Sequence, residues 1–144
     1  MNIRKFNTDD IDKVISIYMD YFNNIEGDSW TRETVRKRLS QIINREDYFG
    51  LAILIEDKIV GFVLGGFEQF FDGKIFHIIE IFIDYNYQNK GLGQILMEKL
   101  EQEVKKMGAF RVILEAVDDE KRNKFYNKMG YQNCNNLIIK GKNI

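Results

Sequence analysis

The most constraining feature of the sequence is a loop with two glycines that joins a long apolar run to an amphipathic segment. The loop reads Gln-Asn-Lys-Gly-Leu-Gly-Gln over residues 88–94, and it follows the apolar run at 75–83. Gly91 and Gly93 admit a ligand close to the backbone and adopt conformations closed to other residues. A helix that begins there directs its unpaired N–H groups and positive dipole end at the loop. The pattern predicts a strand, a phosphate-binding loop and a helix, and a dinucleotide-type pyrophosphate suits this loop.

The length and composition of the chain indicate one globular domain over residues 1–144. Hydrophobic residues make up 44% and charged residues 30%, a normal balance for a chain that buries a core without disulfides. The formal net charge is −1 and the Lys and Arg residues are scattered, so nothing favours a nucleic-acid partner. With one cysteine, Cys134, and one histidine, His77, the chain has no Cys/His zinc cluster, and we expect no metal. We expect His77 to be a packing residue.

The sequence predicts a cytoplasmic protein without a membrane partner. Its N-terminus lacks the apolar core of a signal peptide, and no apolar stretch approaches the length that spans a membrane. A single free cysteine suits a reducing compartment. Whether the chain forms a homodimer is left open by the sequence.

Hydrophobic periodicity predicts alternating strands and helices, with helices on both sides of a central mixed sheet. The two apolar runs before the loop are separated by Glu-Asp-Lys, which is typical of a hairpin, and their continuous hydrophobicity favours burial on both faces. The predicted strands cover residues 3–6, 48–55, 59–67, 75–83, 110–117 and 131–140. Helices are expected after the candidate caps Thr8, Thr31 and Asp118 or Asp119, and between Gly91 and Gly108.

Two segments of this chain resemble motifs of the GNAT (Gcn5-related N-acetyltransferase) superfamily. The run from Ile79 to Gly93 is similar to its acetyl-CoA motif, a strand followed by R/Q-x-x-G-x-G/A. The run from Phe125 to Tyr131 resembles its F-Y-x-x-x-G-F/Y segment. Both occur at the expected separation, and the order of elements is similar over nearly the whole chain. The resemblance implies a GNAT-like α/β fold, with a mixed, mostly antiparallel sheet of about six to seven strands and about four helices.

The resemblance also implies a set of residues that hold acetyl-CoA as the co-substrate. The family places the pyrophosphate on the backbone N–H groups of the loop and the pantetheine arm along the end of the preceding strand, like an added strand. In this sequence the loop residues are Gln88, Asn89, Lys90, Gly91, Leu92 and Gly93, followed by Gln94 in the first helical turn, and the strand residues are Phe82 and Ile83. An ordinary glycine-containing turn is the alternative.

Glu80 interrupts an otherwise almost wholly apolar run. By strand alternation it shares a face with Phe76, Ile78 and Phe82, where an unpaired carboxylate would be costly. A primary amine has an ordinary pKa of about 10.4, so a positioned base helps to expose its lone pair. The resemblance places a general base at this position, often acting through water, so Glu80 is the expected base. A salt bridge, or simple anchoring of the substrate ammonium, is the alternative.

The resemblance assigns Tyr126 as the general acid that protonates the departing thiolate. A phenol is a neutral donor at physiological pH, which suits this role. The alternative for Tyr126 is aromatic packing beside Phe125 and Met129 in a short helix.

The sequence departs from the family pattern at a position that touches the cofactor. Seven residues before Tyr126 the family often has an Asn, and this chain has Asp119. A carboxylate can accept a hydrogen bond from the cofactor but cannot donate one. Asn123, about one turn before Tyr126, is the second candidate contact. The family's Pro-Glu after the strand is replaced by Tyr85 and Asn86, which affects loop rigidity.

The resemblance assigns the acceptor pocket to the first two helices and their connection. Carboxylates with aromatic walls suit a cationic amine through charge and cation–π attraction, although a solvated acidic surface has the same composition. The candidate substrate-binding residues are Tyr21, Glu26, Trp30 and, after the hairpin, Asp72. We expect a small cationic primary amine such as a polyamine or an aminoglycoside. A lysine or N-terminus of a protein is the alternative acceptor.

Two rival classes remain in view. A non-catalytic acyl-CoA-binding module would not need both Glu80 and Tyr126. A nucleotide-binding fold that uses the same glycines would show G-x-G-x-x-G spacing, but position 96 is Leu. The sequence therefore favours an N-acetyltransferase.

Overall fold

The computed structural model describes residues 1–144 as a five-stranded sheet with helices on both faces. The strands are β1 (Asn2–Lys5), β2 (Tyr48–Ile55), β3 (Lys58–Phe70), β4 (Gly73–Ile83) and β5 (Ala109–Leu114). The helices are α1 (Ile11–Asn24), α2 (Arg32–Ile43), α3 (Leu92–Lys106) and α4 (Glu120–Lys128), and 3₁₀ turns cover Thr8–Asp10 and Tyr85–Tyr87. None of these helices combines the length and the hydrophobicity that a membrane-spanning helix requires.

The strands lie in the order β1-β2-β3-β4-β5, antiparallel except for the parallel pair β4 and β5. The mixed, mostly antiparallel α/β fold with four helices is confirmed. The predicted count of six to seven strands is wrong, because residues 131–140 form no strand. This segment has asparagines at 133, 135 and 136, which favour turns, and a turn hydrogen bond joins the Leu137 N–H to the Cys134 carbonyl.

The sheet separates two hydrophobic cores. On one face, α1 and α2 bury residues such as Val14, Tyr18 and Leu39 against Phe62. On the other face, α3 buries Leu96 and its neighbours against the second side of the same strands. Each strand of the β2–β3 hairpin therefore contributes to both cores, which explains its continuous hydrophobicity.

The helix boundaries follow the capping chemistry of the sequence with one exception. Thr31 caps α2 by accepting from the Thr34 N–H, and Asp119 caps α4 by accepting from the Arg122 N–H. Gly108, with a φ of +100°, follows the end of α3. The prediction of Thr8 as a cap is wrong, because Thr8 begins a 3₁₀ turn and α1 starts only at Ile11.

A β-bulge in β4 changes which side chains share a face. Leu64 of β3 pairs with Glu80, whereas the next residue, Gly65, pairs with Ile78, so Ile79 is an extra residue. Ile78 packs in the α3 core, while Phe82 packs in the α1–α2 core.

The prediction that Glu80 shares a face with Phe76 and Ile78 is therefore wrong, and only its grouping with Phe82 is right. Strict alternation failed because the bulge inserts one residue between Ile78 and Glu80.

The strands β4 and β5 separate after a short parallel ladder. Their last paired residues are Ile78 and Leu114, yet β4 continues to Ile83 while it pairs with β3 on its other side. The β4 edge beyond Ile78 therefore has no neighbouring strand, and a gap opens between β4 and the segment that follows β5.

We predict that Gly65→Ala destabilises the fold far more than Gly66→Ala. A Cβ at Gly65 would lie 2.2 Å from the His77 carbonyl oxygen beside the bulge, whereas a Cβ at Gly66 would lie no closer than 3.5 Å to any atom. Overpacking of this kind costs about 1–3 kcal/mol or more, so urea unfolding should show such a loss for Gly65→Ala and a change within about 0.5 kcal/mol for Gly66→Ala. Equal free energies of unfolding for the two variants would contradict the bulge geometry.

Candidate active site

A cleft of about 260 Å³ occupies the gap between β4 and the segment after β5. Its walls combine the free part of β4 with residues from α1, the loop before α3, the segment after β5, and α4. The lining residues are Tyr21, Phe22, Ile78, Ile79, Glu80, Ile81, Phe82, Ile83, Gln88, Leu114, Glu115, Ala116, Val117, Arg122 and Tyr126. Both residues expected to be catalytic, Glu80 and Tyr126, therefore line the same cleft.

Glu80 is held by two partners from the helices that cover its face of the sheet. The Tyr18 hydroxyl donates to Oε1 at 2.9 Å, and the Arg38 guanidinium donates to Oε2 from Nη2 at 3.0 Å and from Nε at 3.3 Å. The Glu80 side chain is 11% exposed. The salt bridge that the sequence left open as an alternative is thus present, and it coexists with access to the cleft.

The pKa of Glu80 reflects opposing effects. Burial raises the pKa of this carboxyl, while the charge of Arg38 and the hydrogen bonds from Tyr18 and Arg38 lower it. Burial is the largest effect, so the pKa of Glu80 is raised above its ordinary value. A carboxylate with a raised pKa is a stronger base than an exposed one.

Tyr126 presents an unpaired hydroxyl to the cleft. Its ring packs edge-on against Phe125 and Tyr131, with centroid distances of 5.0 Å and 5.9 Å. No group of the protein hydrogen-bonds with its hydroxyl, although the residue is half-buried. Burial raises the pKa of Tyr126, so the phenol stays protonated and can donate to a ligand.

The loop before α3 exposes a row of backbone donors. Gly91 precedes the helix in the left-handed conformation, with a φ of +80°, and Asn89 also has a positive φ of 61°. No acceptor in the protein pairs with the six consecutive N–H groups of residues 89–94. Such a row at a helix N-terminus forms an anion-binding concavity, so the loop fits a pyrophosphate.

The two glycines of the loop serve different purposes. Gly91 carries the positive φ, and a Cβ there would meet no other atom within 4 Å. At Gly93 a Cβ would lie 3.1 Å from the Phe125 ring of α4. The second glycine therefore allows α3 to pack against α4, which is a structural role that the sequence did not reveal.

The loop is also tied to the end of β4. The side chain of Gln88 donates from Nε2 to the Ile83 carbonyl at 2.9 Å. Its Oε1 accepts from Lys121 at the longer distance of 3.5 Å. Gln88 therefore stands where the cleft meets the donor-rich loop.

Asp119, which stands where the family often has a cofactor-binding Asn, and Asn123, the second candidate contact, both have partners within the protein. Asp119 accepts from both the backbone N–H and the guanidinium of Arg122. Asn123 donates from its amide to Asp118 at 2.8 Å. Contact of either residue with the cofactor stays a prediction, and Asp119 would have to share its carboxylate with Arg122.

An ion pair joins the two sides of the cleft. Arg122 of α4 donates to Oε1 of Glu26 at 2.6 Å, and the Tyr21 hydroxyl of α1 donates to the same oxygen at 2.6 Å. Burial and the hydrogen bond to Glu26 raise the pKa of Tyr21 to about 12. Two of the candidate acceptor residues, Tyr21 and Glu26, are thus brought together at the cleft.

Of the four candidate acceptor residues, only Tyr21 lines the cleft. Glu26 contacts the lining residues Tyr21 and Arg122, and the other two candidates lie farther from the cleft. Trp30 packs edge-on against Tyr18 at 5.6 Å, and its indole N–H donates to Asp28. Asp72 lies in the turn before Gly73, at the opposite end of β4 from the cleft. The cleft begins at Ile78, so Asp72 has no place in its walls.

Sequence reasoning missed several polar residues of the site. In the sequence, Arg38 and Arg122 resemble the other basic residues of polar helix surfaces. No local pattern predicts that they pair with Glu80 and Glu26. The expectation that His77 packs is incomplete, because its Nε2 hydrogen-bonds with Glu115 of the cleft at 2.7 Å. Its partner is 38 residues away in sequence.

No group of three or more His, Cys, Asp or Glu residues is arranged to hold a metal ion.

Comparison with known proteins identifies the family. Residues 11–131 match the acetyltransferase (GNAT) family. The sequence is 27% identical over 138 residues to glucosamine 6-phosphate N-acetyltransferase 1 of Dictyostelium discoideum, covering 92% of this chain and 85% of that protein. The fold matches a GNAT family acetyltransferase from Staphylococcus aureus with a TM-score of 0.74 and 24% identity, over 99% of this chain and 98% of the other.

A second solved structure with this fold is an aminoglycoside acetyltransferase from an uncultured soil metagenomic sample. Its TM-score is 0.73 at 17% identity, over 99% of this chain and 97% of the other. The family match spans most of the chain, so this protein belongs to the acetyltransferase (GNAT) family. It is accordingly an enzyme of the N-acetyltransferase class, as the sequence motifs predicted.

Proposed function

We propose that this enzyme transfers an acetyl group from acetyl-CoA to the primary amine of a small cationic molecule. The observation that carries the proposal is the convergence of three features on one cleft. Glu80 and the free Tyr126 hydroxyl line the cleft, and Gln88 joins it to a loop with six unpaired N–H groups. A carboxylate base, a phenolic acid and a phosphate cradle are the parts that acyl transfer from a CoA thioester requires.

The loop and the β4 edge would bind the two ends of the cofactor. Backbone N–H groups of Asn89, Lys90, Gly91, Leu92, Gly93 and Gln94 would donate to the pyrophosphate oxygens, with support from the α3 dipole. The unpaired edge of β4 at Phe82 and Ile83 would pair with the amide groups of the pantetheine arm. Bound acetyl-CoA supplies the activated acetyl group.

Glu80 and Tyr126 would divide the proton transfers. Glu80 accepts the proton of the acceptor ammonium, directly or through water, and exposes the nitrogen lone pair. Glu80 passes this proton to solvent. The nitrogen then bonds to the acetyl carbon, the carbon–sulfur bond breaks, and the nitrogen, which is positively charged after the attack, releases its second proton to solvent. Tyr126 donates its hydroxyl proton to the departing thiolate, and solvent returns a proton to the phenolate.

The walls of the cleft favour a cationic acceptor. Tyr21 places an aromatic ring in the cleft wall and donates a hydrogen bond to the adjacent carboxylate of Glu26, and Trp30 packs behind this wall against Tyr18. Two relatives are described as acting on amino sugars, namely glucosamine 6-phosphate and aminoglycosides. A lysine or N-terminus of a protein is the second candidate acceptor, since its ammonium carries the same charge.

Acetyl-CoA should stabilise the parent protein, by about 2.7 kcal/mol at a concentration one hundred times its dissociation constant. Gly91→Leu should abolish this shift in melting temperature, because a side chain strains the left-handed conformation at a φ of +80° and so disturbs the row of N–H groups. The matched control is Gly130→Leu, which has a similar φ of +90° and open surroundings but lies outside the loop. Stabilisation by NAD or ATP, with none by CoA, would refute the cofactor assignment.

Release of CoA thiol from acetyl-CoA should be detectable with one or more amines of a panel of polyamines, aminoglycosides, amino sugars and lysine peptides. With an active amine, Glu80→Gln should lower turnover by about a hundredfold or more, and most at low pH where the amine is protonated. Its amide can still accept from Arg38 and donate to Tyr18, so the fold should survive. Glu101→Gln, outside the cleft, is the control. Equal turnover of Glu80→Gln and parent at every pH would remove Glu80 from the base role.

Tyr126→Phe should lower kcat by about a hundredfold or more, because the variant loses only the donor hydroxyl. The KM for acetyl-CoA should change little, since the proton is needed mainly in the transition state. Stability should also change little, because the hydroxyl has no partner in the protein. In the control Tyr131→Phe the lost hydroxyl is bonded to Glu101 at 2.6 Å, so stability should fall and kcat should persist. The reverse pattern would make Tyr126 a packing residue.

A further inference from the structure

The two partners of Glu80 come from different helices and act on different oxygens. Tyr18 of α1 donates to Oε1, and Arg38 of α2 donates twice to Oε2. The guanidinium of Arg38 also lies 3.5 Å from the Ile79 carbonyl, at the bulge itself. Three donors thus fix the direction of one carboxylate at the point where β4 changes register.

The environments of these partners differ in a way that suits a positioning role. Tyr18 is 1% exposed, and its ring is packed among Phe22, Trp30, Phe62 and Phe82, so its hydroxyl has one fixed direction. The Arg38 side chain of α2 is 40% exposed and pairs with Glu80 at 3.0 Å. One partner is a rigid hydrogen-bond donor, and the other is a fixed positive charge.

We infer that Arg38 and Tyr18 are positioning residues that orient Glu80 and keep its carboxylate ionised in the cleft. The inference deepens the proposed function and rests on Glu80 being the base. If Arg38 and Tyr18 are removed, burial alone acts on the Glu80 carboxyl. Burial favours the protonated form of a carboxyl, and this form cannot accept a proton from the amine. Without these two residues the Glu80 carboxyl would hold its proton up to a higher pH than in the parent protein.

The sign of the effect follows from the contacts. Both partners stabilise the charged form, so they lower the pKa of Glu80 against the effect of burial. Loss of either partner should therefore raise the pH at which Glu80 gives up its proton. The other titratable or charged groups that line the cleft are Tyr21 of α1, Arg122 and Tyr126 of α4, and Glu115 after β5 with its partner His77.

The test compares Arg38→Met with Arg36→Met. Arg36 lies two residues earlier on α2 and pairs with Asp12 of α1 at 3.0 Å, outside the cleft. Each variant loses one guanidinium of α2 from one ion pair with another element, but only Arg38→Met affects Glu80. Titration of the 13C-labelled Glu80 carboxyl by NMR, assigned by its absence in Glu80→Gln, needs no knowledge of the acceptor.

The Glu80 resonance should titrate about one pH unit or more higher in Arg38→Met than in the parent, and at the parent pH in Arg36→Met. Arg38→Lys should restore part of the difference, because the charge returns without the two-point contact. Tyr18→Phe keeps the buried ring and should shift the titration upward by a smaller amount. With an active amine, the acid limb of kcat/KM should move with the NMR titration in each variant.

An identical Glu80 titration in parent and Arg38→Met would overturn the inference, as would a shifted titration with an unmoved acid limb. Failure of the proposed function looks different. In that case the parent would release no thiol from acetyl-CoA, or Glu80→Gln would turn over like the parent. Urea unfolding of each variant separates these effects from simple loss of stability.

Discussion

One register change in the central sheet governs the geometry of the site. The extra residue at Ile79 turns Glu80 away from the α3 core and toward α1 and α2. The same strand continues past the end of the β4–β5 ladder, so its edge is free where the carboxylate emerges. Gly65 makes this arrangement sterically accessible, because any Cβ there would collide with the strand opposite. A regular ladder would bury Glu80 in an apolar core without a partner.

Helices α1 and α2 supply the hydrogen bonds and the positive charge that stabilise the buried carboxylate of Glu80. Arg38 and Tyr18 occupy both oxygens of Glu80, and the same solution recurs at the start of the chain, where Arg4 donates to both oxygens of the buried Asp10. A buried acid is stable only when its desolvation is offset by such partners. At Glu80 the two partners compensate only part of the desolvation, so the pKa of the carboxyl stays above its ordinary value. A carboxylate with a raised pKa accepts a proton more readily.

The cleft lies between the two cores, so its walls belong to elements that the sheet keeps apart. The Arg122–Glu26 ion pair joins the end of α1 to α4, and Tyr21 strengthens it from the α1 side. Phe125, one residue before Tyr126, packs against Gly93 and so couples the N-terminal end of α3 to the helix that carries Tyr126. Tyr126 and Glu80 lie on different elements, and these side-chain contacts hold the helix of Tyr126 in place beside the cleft.

The sequence by itself determined the order of elements up to α4, the hairpin, the α2 cap and the glycine loop, because each depends on neighbouring residues, and it restricted the α4 cap to Asp118 or Asp119. The family motifs brought Glu80, Tyr126 and the loop into view. Only the tertiary structure decided the bulge, the partners Arg38 and Arg122, and the absence of a strand after Tyr131. The bulge and the two ion pairs depend on contacts between residues distant in sequence: Arg38 and Glu80 are 42 positions apart, and Glu26 and Arg122 are 96 apart. Local periodicity carries no information about such pairs, and a single inserted residue reverses every face that follows it.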